Sequence, residues 1–119
     1  TFTRDFPGRV ELIRAASLEA AKNAPDQAFD LIFIDAIHLY EDVLEDIMVW
    51  QPKLKPNGIL AGDDYTEDFG GVIRAVNEVF PEKVRRVHET CRVWYVRNQD
   101  ILAGKCRMPT PETLPKRPG

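Results

Sequence analysis

The sequence has only two cysteines, no long apolar run and no excess of basic residues. Cys91 and Cys106 lack CxxC spacing and are too few for a disulfide framework or a zinc site. Two thiols without an obvious pairing favour a reducing compartment, so we expect a cytoplasmic protein. No window approaches the ~18 apolar residues that a membrane-spanning helix needs, so we expect no membrane partner.

The charge balance is slightly acidic, with 16 basic residues against 19 acidic ones and a net charge of −3. Nucleic acid attracts proteins through basic surfaces, so this balance predicts no nucleic-acid partner. Four arginines gather near residues 85–97, and we expect them to lie on a solvated strand face: Arg85, Arg86, Arg92 and Arg97.

What the sequence does contain is an ordinary globular composition, with 44% hydrophobic and 29% charged residues in 119 positions. Val10–Ile13 has the pattern of a short strand, and Ser17–Asn23 that of a short helix. Leu31–Ile34 is a continuous apolar run, which is typical of a strand buried on both faces in a parallel sheet. From Tyr40 to Leu54 the apolar residues recur at helical spacing.

The second half continues with a strand over Gly58–Gly62 and a helix over about residues 71–80. Val84–His88 and Arg92–Arg97 then predict an antiparallel hairpin. A strand, a crossover helix and a second strand favour a parallel right-handed unit, so the fold class is α/β.

The remaining residues form a proline-rich segment with few large apolar side chains. We therefore predict one α/β domain over residues 1–98 and an irregular tail over residues 99–119.

Acidic residues follow both predicted parallel strands. Asp35 ends one strand, and Asp63 and Asp64 end the other. Ligands in open α/β sheets bind beyond the carboxyl ends of the strands, and three carboxylates there repel one another unless a cation lies between them. Mg²⁺ suits such ligands and would lower the pKa of a substrate hydroxyl. Alternatively, these aspartates start loops and cap the following helices.

His38 lies three residues after Asp35 and has two interpretations. It is either a base or a metal ligand at the carboxyl ends of these strands, or a loop histidine bonded to the backbone.

Two stretches and a third short motif together resemble a known family. Phe29–Glu41 reads FDLIFIDAIHLYE, Leu54–Tyr65 reads LKPNGILAGDDY, and Gly71–Val72 precedes Ala75–Val76. Their combination and order resemble the fourth-strand and fifth-strand motifs of class I S-adenosylmethionine-dependent methyltransferases. The nearest likeness is to the metal-dependent O-methyltransferase branch, over about residues 9–97.

The resemblance implies a role for each matched residue. It implies methyl transfer from S-adenosylmethionine to the hydroxyl of a small-molecule acceptor, with Mg²⁺ positioning that hydroxyl. Tyr65 would line the substrate side, or else pack its ring against the loop. The implied roles are catalytic for Asp35 and His38, cofactor-binding for Ser17 and Asp35, and metal-binding for Asp35, Asp63 and Asp64.

The family's glycine-rich cofactor loop and the acidic residue that ends its second strand have no match in this sequence. The resemblance therefore implies a partial Rossmann-like sheet, with the third to seventh strands of the family. On this basis we expect weak or absent cofactor binding by the chain alone, so the resemblance leaves open whether it is itself an enzyme.

In that family the first strand lies beside the fourth. We therefore expect Leu31–Ile34 to form an open apolar edge that pairs with another chain, which predicts a homo-oligomer. The chain is then either a piece of a longer enzyme or a half-domain. The alternative function is a non-catalytic methyltransferase remnant that acts as an oligomerising or interaction module.

Overall fold

The computed structural model describes residues 10–13, 17–34 and 39–115. Within them lies one five-stranded sheet with four α-helices. Two short 3₁₀ segments, Gln51–Lys53 and Glu67–Phe69, join these elements. In chain order the elements are β1 (Val10–Ile13), α1 (Ser17–Asn23), β2 (Phe29–Ile34), α2 (Tyr40–Trp50), β3 (Leu54–Gly62), α3 (Gly70–Val79), β4 (Arg86–Val87), β5 (Trp94–Arg97) and α4 (Asn98–Leu102).

The strand order is β1-β2-β3-β5-β4. The first three strands are parallel, whereas β5 runs antiparallel to both β3 and β4. The predicted α/β class is confirmed: the sheet is partial, Rossmann-like and closed by a C-terminal antiparallel hairpin.

β2 is a central strand, and this overturns one prediction. On one side Val10 to Ile13 of β1 pair with Leu31 to Ile34, and on the other side β3 pairs with the same residues. No open edge exists at residues 31–34, so the prediction that this strand is exposed for pairing with another chain is wrong. The physical reason is that β1 itself occupies the place beside β2 that was expected to be empty.

The main core lies between one face of the sheet and the helices. Trp50 of α2, Trp94 of β5 and Phe80 after α3 are its largest fully buried side chains. A smaller cluster on the opposite face contains Leu31 and Ala61. Because side chains alternate along a strand, Leu31 and Ile32 face opposite sides, and both are fully buried as the unbroken apolar run predicts.

α2 ends earlier than its apolar spacing predicts. Its last residue is Trp50, and Gln51–Lys53 tightens into a 3₁₀ turn that contains Pro52. Proline lacks an amide hydrogen and clashes with the preceding turn, so the α-helix stops there. Leu54 then opens β3 and pairs with Phe29, four residues before the predicted strand start.

The segment after residue 98 is more ordered than the predicted irregular tail. α4 begins at Asn98, whose buried side chain donates to the Lys55 carbonyl (2.9 Å) and accepts from Gln51 (3.0 Å). Farther on, Met108 and Leu114 pack against the main core. Up to residue 115 this segment therefore belongs to the domain surface. None of the helices in the described ranges is long and apolar enough to cross a membrane.

Candidate active site

The carboxyl ends of β2 and β3 lie side by side. Ile34 pairs with Gly62, and the amide of Asp63 donates to the Ile34 carbonyl at 3.3 Å. This bond extends the parallel pairing one residue beyond β3. Asp63 therefore lies next to the residue that precedes Asp35 in the chain.

Asp63 and Asp64 form a tight turn at this edge, and both are half-buried. The Asp64 amide donates to Oδ1 of Asp63 at 2.7 Å, and the Asp64 carbonyl accepts from Thr66 at 2.8 Å. Asp64 has a φ of 61°, in the left-handed region that costs an ordinary residue about 1–2 kcal/mol. The turn thus fixes the direction of the Asp63 carboxylate.

The alternative interpretation holds in part for Asp63 and Asp64, which start the loop after β3 but cap neither of the helical segments that follow. The 3₁₀ turn at Glu67–Phe69 and the helix α3 begin after Thr66 and Phe69, and neither start has a side-chain cap. The Asp63 carboxylate bonds within its own turn instead, through one oxygen. In the described ranges no other hydrogen bond reaches its second oxygen, Oδ2.

Three predicted site residues are not described at the level of their side chains. Asp35 and His38 lie outside the described residues, and Ser17 begins α1 without a described side chain. The described residues contain no group of three metal-ligating side chains. Asp63 and Asp64 do supply two hard oxygen donors at the sheet edge, and this donor chemistry fits Mg²⁺, which takes few carboxylates and keeps several waters.

Tyr65 follows the aspartates and is held on both sides. Its hydroxyl donates to Oδ1 of Asn77 on α3 at 2.5 Å. Its backbone amide donates to the Arg92 carbonyl at 3.1 Å, and its own carbonyl accepts from Nε of Arg92 at 3.0 Å. The Arg92 guanidinium carbon lies 5.6 Å from the centre of the tyrosine ring. The ring therefore packs against the loop, and Tyr65 remains partly exposed beside Asp64.

Sequence reasoning missed the role of Arg92. Arg92 has a φ of 56° in the loop between β4 and β5, a conformation that glycine adopts most easily. Nothing in the residue pattern marks this position, because its contact with Tyr65 spans 27 residues.

A second tyrosine contact also went unpredicted. The hydroxyl of Tyr40 donates to Oε2 of Glu78, and the Arg74 guanidinium lies 4.0 Å from the centre of the Tyr40 ring. Arg74 also donates to Oε1 of Glu78 at 3.3 Å. The hydrogen bond to Glu78, together with some burial, raises the pKa of Tyr40. The network joins the start of α2 to the last turn of α3.

A cavity of about 480 Å³ adjoins this network, between α2, α3 and the C-terminal segment. Asp63 and Asp64 do not line it. It is therefore separate from the strand-end carboxylates. Its lining residues are Tyr40, Leu44, Glu78, Val79, Arg107, Met108, Pro109 and Thr113.

Comparison with known proteins gives one family match. A family model described as a methyltransferase domain matches residues 2–65, more than half of the chain. A search of curated proteins found no significant match. Among solved structures, the chain is similar to the T. thermophilus 16S rRNA N2 G1207 methyltransferase in complex with AdoMet and guanosine. That similarity has 19% sequence identity and a TM-score of 0.45, and it covers 81% of this chain but only 24% of the other.

The prediction that excluded nucleic acid as a partner does not stand. The similar structure is that of an rRNA methyltransferase in complex with guanosine. The net charge of −3 was a poor criterion because it averages over the whole chain. It says nothing about local basic surface such as the arginines of the β4–β5 hairpin.

Proposed function

The chain belongs to the methyltransferase-domain family, and we propose that its strand-end carboxylates serve metal-dependent methyl transfer to an acceptor hydroxyl. S-adenosylmethionine, when bound, supplies an electrophilic sulfonium methyl group. The observation that carries the proposal is the bond from the Asp63 amide to the Ile34 carbonyl, 3.3 Å long. It supports a site where the carboxylates that follow β2 and β3 converge.

In this proposal Asp63 and Asp64 hold the divalent cation through carboxylate oxygens. Asp63 is the better oriented of the two, because its Oδ1 is fixed by the Asp64 amide at 2.7 Å. A cation there would lower the pKa of the acceptor hydroxyl and so favour the nucleophilic alkoxide near neutral pH. Asp35 as the third ligand and His38 as a base complete the proposed set.

Tyr65 forms the acceptor-side wall of the proposed site. Asn77 accepts a hydrogen bond from the Tyr65 hydroxyl, and Arg92 donates one to the Tyr65 backbone carbonyl, so the position of the ring is fixed at both ends of the residue. A fixed ring limits the orientations that a bound acceptor can take, so the acceptor hydroxyl spends more of its time in a geometry that can attack the methyl group.

Cofactor binding is proposed to need more than these 119 residues, which contain no glycine-rich loop between a first strand and its helix. Ser17 and Asp35 are the proposed contacts of this chain to S-adenosylmethionine. We expect the chain alone to bind S-adenosylmethionine weakly. The non-catalytic alternative has lost its proposed interface, because Leu31–Ile34 is paired on both sides.

The test is transfer of a radiolabelled methyl group from S-adenosylmethionine to a panel of hydroxyl-bearing acceptors. The chain is assayed alone and joined to a glycine-rich strand–loop–helix segment. We expect product only from the joined protein, loss of product with EDTA, and recovery with Mg²⁺. Product formation that EDTA does not reduce would contradict the metal-dependent mechanism.

Substitutions separate the proposed cation ligands from nearby acids. Asp63→Asn should lower the rate at least about tenfold, since loss of a residue that only supports a metal ligand already costs about 10- to 100-fold and Asp63 is a proposed ligand itself. Asp68→Asn is the matched control, because Asp68 is an exposed acid five residues away in the 3₁₀ turn. Equal rates for the two variants would count against Asp63 as a ligand.

A further inference from the structure

The guanidinium of Arg92 is fixed in place beside the candidate site. Its Nε donates to the Tyr65 carbonyl at 3.0 Å, and its backbone carbonyl accepts from the Tyr65 amide at 3.1 Å. The ring of Tyr65 lies beneath it, with 5.6 Å between the guanidinium carbon and the ring centre. Arg92 therefore cannot move away from the loop that carries Asp63 and Asp64 without breaking these contacts.

Most of its hydrogen-bonding capacity is unused. A guanidinium has five N–H donors, and Nε–H accounts for one of them. Among the described residues, no acceptor contacts the terminal nitrogens of Arg92. Arg85 differs, because its Nη1 donates to the Phe80 carbonyl. Arg74 is also bonded through Nε, but its acceptor is the Glu78 carboxylate, which balances its charge.

The backbone at Arg92 favours a different residue. Its amide donates to the His88 carbonyl at 3.0 Å, which closes the loop, and its φ is 56°. Hairpin loops of this kind prefer glycine at the left-handed position. A strained arginine persists only where the surroundings hold it, and here the two backbone contacts with Tyr65 do so.

We propose that Arg92 binds an anionic group of the acceptor, a carboxylate or a phosphate, while Asp63 and Asp64 serve the hydroxyl that is methylated. This inference rests on the proposed function for the identity of the ligand as an acceptor. A guanidinium is planar and can donate two parallel hydrogen bonds to two oxygens of a carboxylate or of a phosphate. Because Tyr65 already fixes the Arg92 side chain, little side-chain conformational entropy is lost when the anion binds.

The test is an NMR titration of the ¹⁵N-labelled chain without S-adenosylmethionine or metal. The probes are phenyl phosphate and benzoate, with benzyl alcohol as the neutral control. We expect saturable shifts of the Arg92 and Tyr65 amides with at least one anion and none with benzyl alcohol. If phenyl phosphate binds more tightly than benzoate, the acceptor carries a phosphate, and if benzoate binds more tightly, it carries a carboxylate.

Arg92→Gly is the decisive variant, because glycine accepts the φ of 56° and removes the guanidinium together. We expect this variant to fold and to raise the dissociation constant of the anion at least about tenfold. Gln27→Gly is the matched control: Gln27 has a φ of 51° in the loop before β2, far from Tyr65 in the chain, and its variant should bind as the parent does.

Two results would overturn the inference: no saturable shift with either anion, or unchanged affinity in Arg92→Gly. Neither readout needs methyl transfer or a cation. Failure of the methyltransferase proposal would therefore leave these titrations interpretable, and failure of the anion site would leave the metal-dependent assay unaffected.

Discussion

Replacing Gly62 with alanine would place a methyl group against the buried indole of Trp94. The added Cβ would lie 2.5 Å from Cε2 and Nε1 of Trp94 and 2.6 Å from Cζ2. Trp94 is 1% exposed, and its ring packs 5.8 Å from the ring centre of Phe80. The indole cannot retreat without disturbing the core, so we expect a loss of about 1–3 kcal/mol in the free energy of unfolding.

Urea denaturation followed by tryptophan fluorescence measures this loss. With an m-value of about 1.5 kcal/mol/M, a loss of about 2 kcal/mol lowers the midpoint by about 1.3 M. Gly70→Ala is the control, because its Cβ would meet nothing within 4 Å at the start of α3. That variant should be as stable as the parent or more stable by up to about 1 kcal/mol, since alanine favours helix.

Trp94→Phe tests whether the clash is the cause. Combined with Gly62→Ala it removes atoms that the new methyl group would meet, so the double variant should lose less stability than the two single losses added together. An unchanged midpoint in Gly62→Ala, or strict additivity in the double variant, would refute the close packing of Gly62 on Trp94.

Further predictions concern the C-terminal segment. Asn98→Ala should lower the free energy of unfolding by about 1–3 kcal/mol, because it leaves the Lys55 carbonyl without its donor, whereas exposed Gln99→Ala should change little in the same urea assay. Burial raises the pKa of Cys106 to about 11, so at pH 8 only about one thiol in a thousand is ionised. Mass spectrometry after iodoacetamide treatment should therefore find exposed Cys91 alkylated first, with Cys106 reacting faster as the pH rises toward 11, and equal rates at pH 8 would contradict this burial.

The parts of the fold that were predictable depend on local pattern. The apolar run at Leu31–Ile34 is a buried central strand, and the helical stripe after Tyr40 is a helix. Asp63 and Asp64 lie at a sheet edge because they directly follow the β3 residues that pair with β2. The family resemblance, drawn from the order of motifs over about residues 9–97, is confirmed by the methyltransferase-domain model that matches residues 2–65.

The parts that were missed depend on contacts between distant residues. The pairing of β1 with β2 filled an edge that the family comparison left open. The bond from Tyr40 to Glu78 joins residues 38 positions apart, and that from Arg92 to Tyr65 joins residues 27 apart. Sequence periodicity reveals helices and strands, but it cannot reveal a single contact between distant residues. Each of these two contacts forms only when the helices and loops pack together.

The most direct test of the carboxylate site is a map of Mn²⁺ binding on the ¹⁵N-labelled chain. A bound paramagnetic ion broadens the amide signals nearest to it. We predict that substoichiometric Mn²⁺ broadens residues 63–65 and the segment after Ile34, and that Asp63→Asn abolishes this pattern while Asp68→Asn preserves it. Broadening centred on the acidic first turn of α2, at Glu41 and Asp42, or a pattern that Asp63→Asn leaves intact, would contradict a cation site at the ends of β2 and β3.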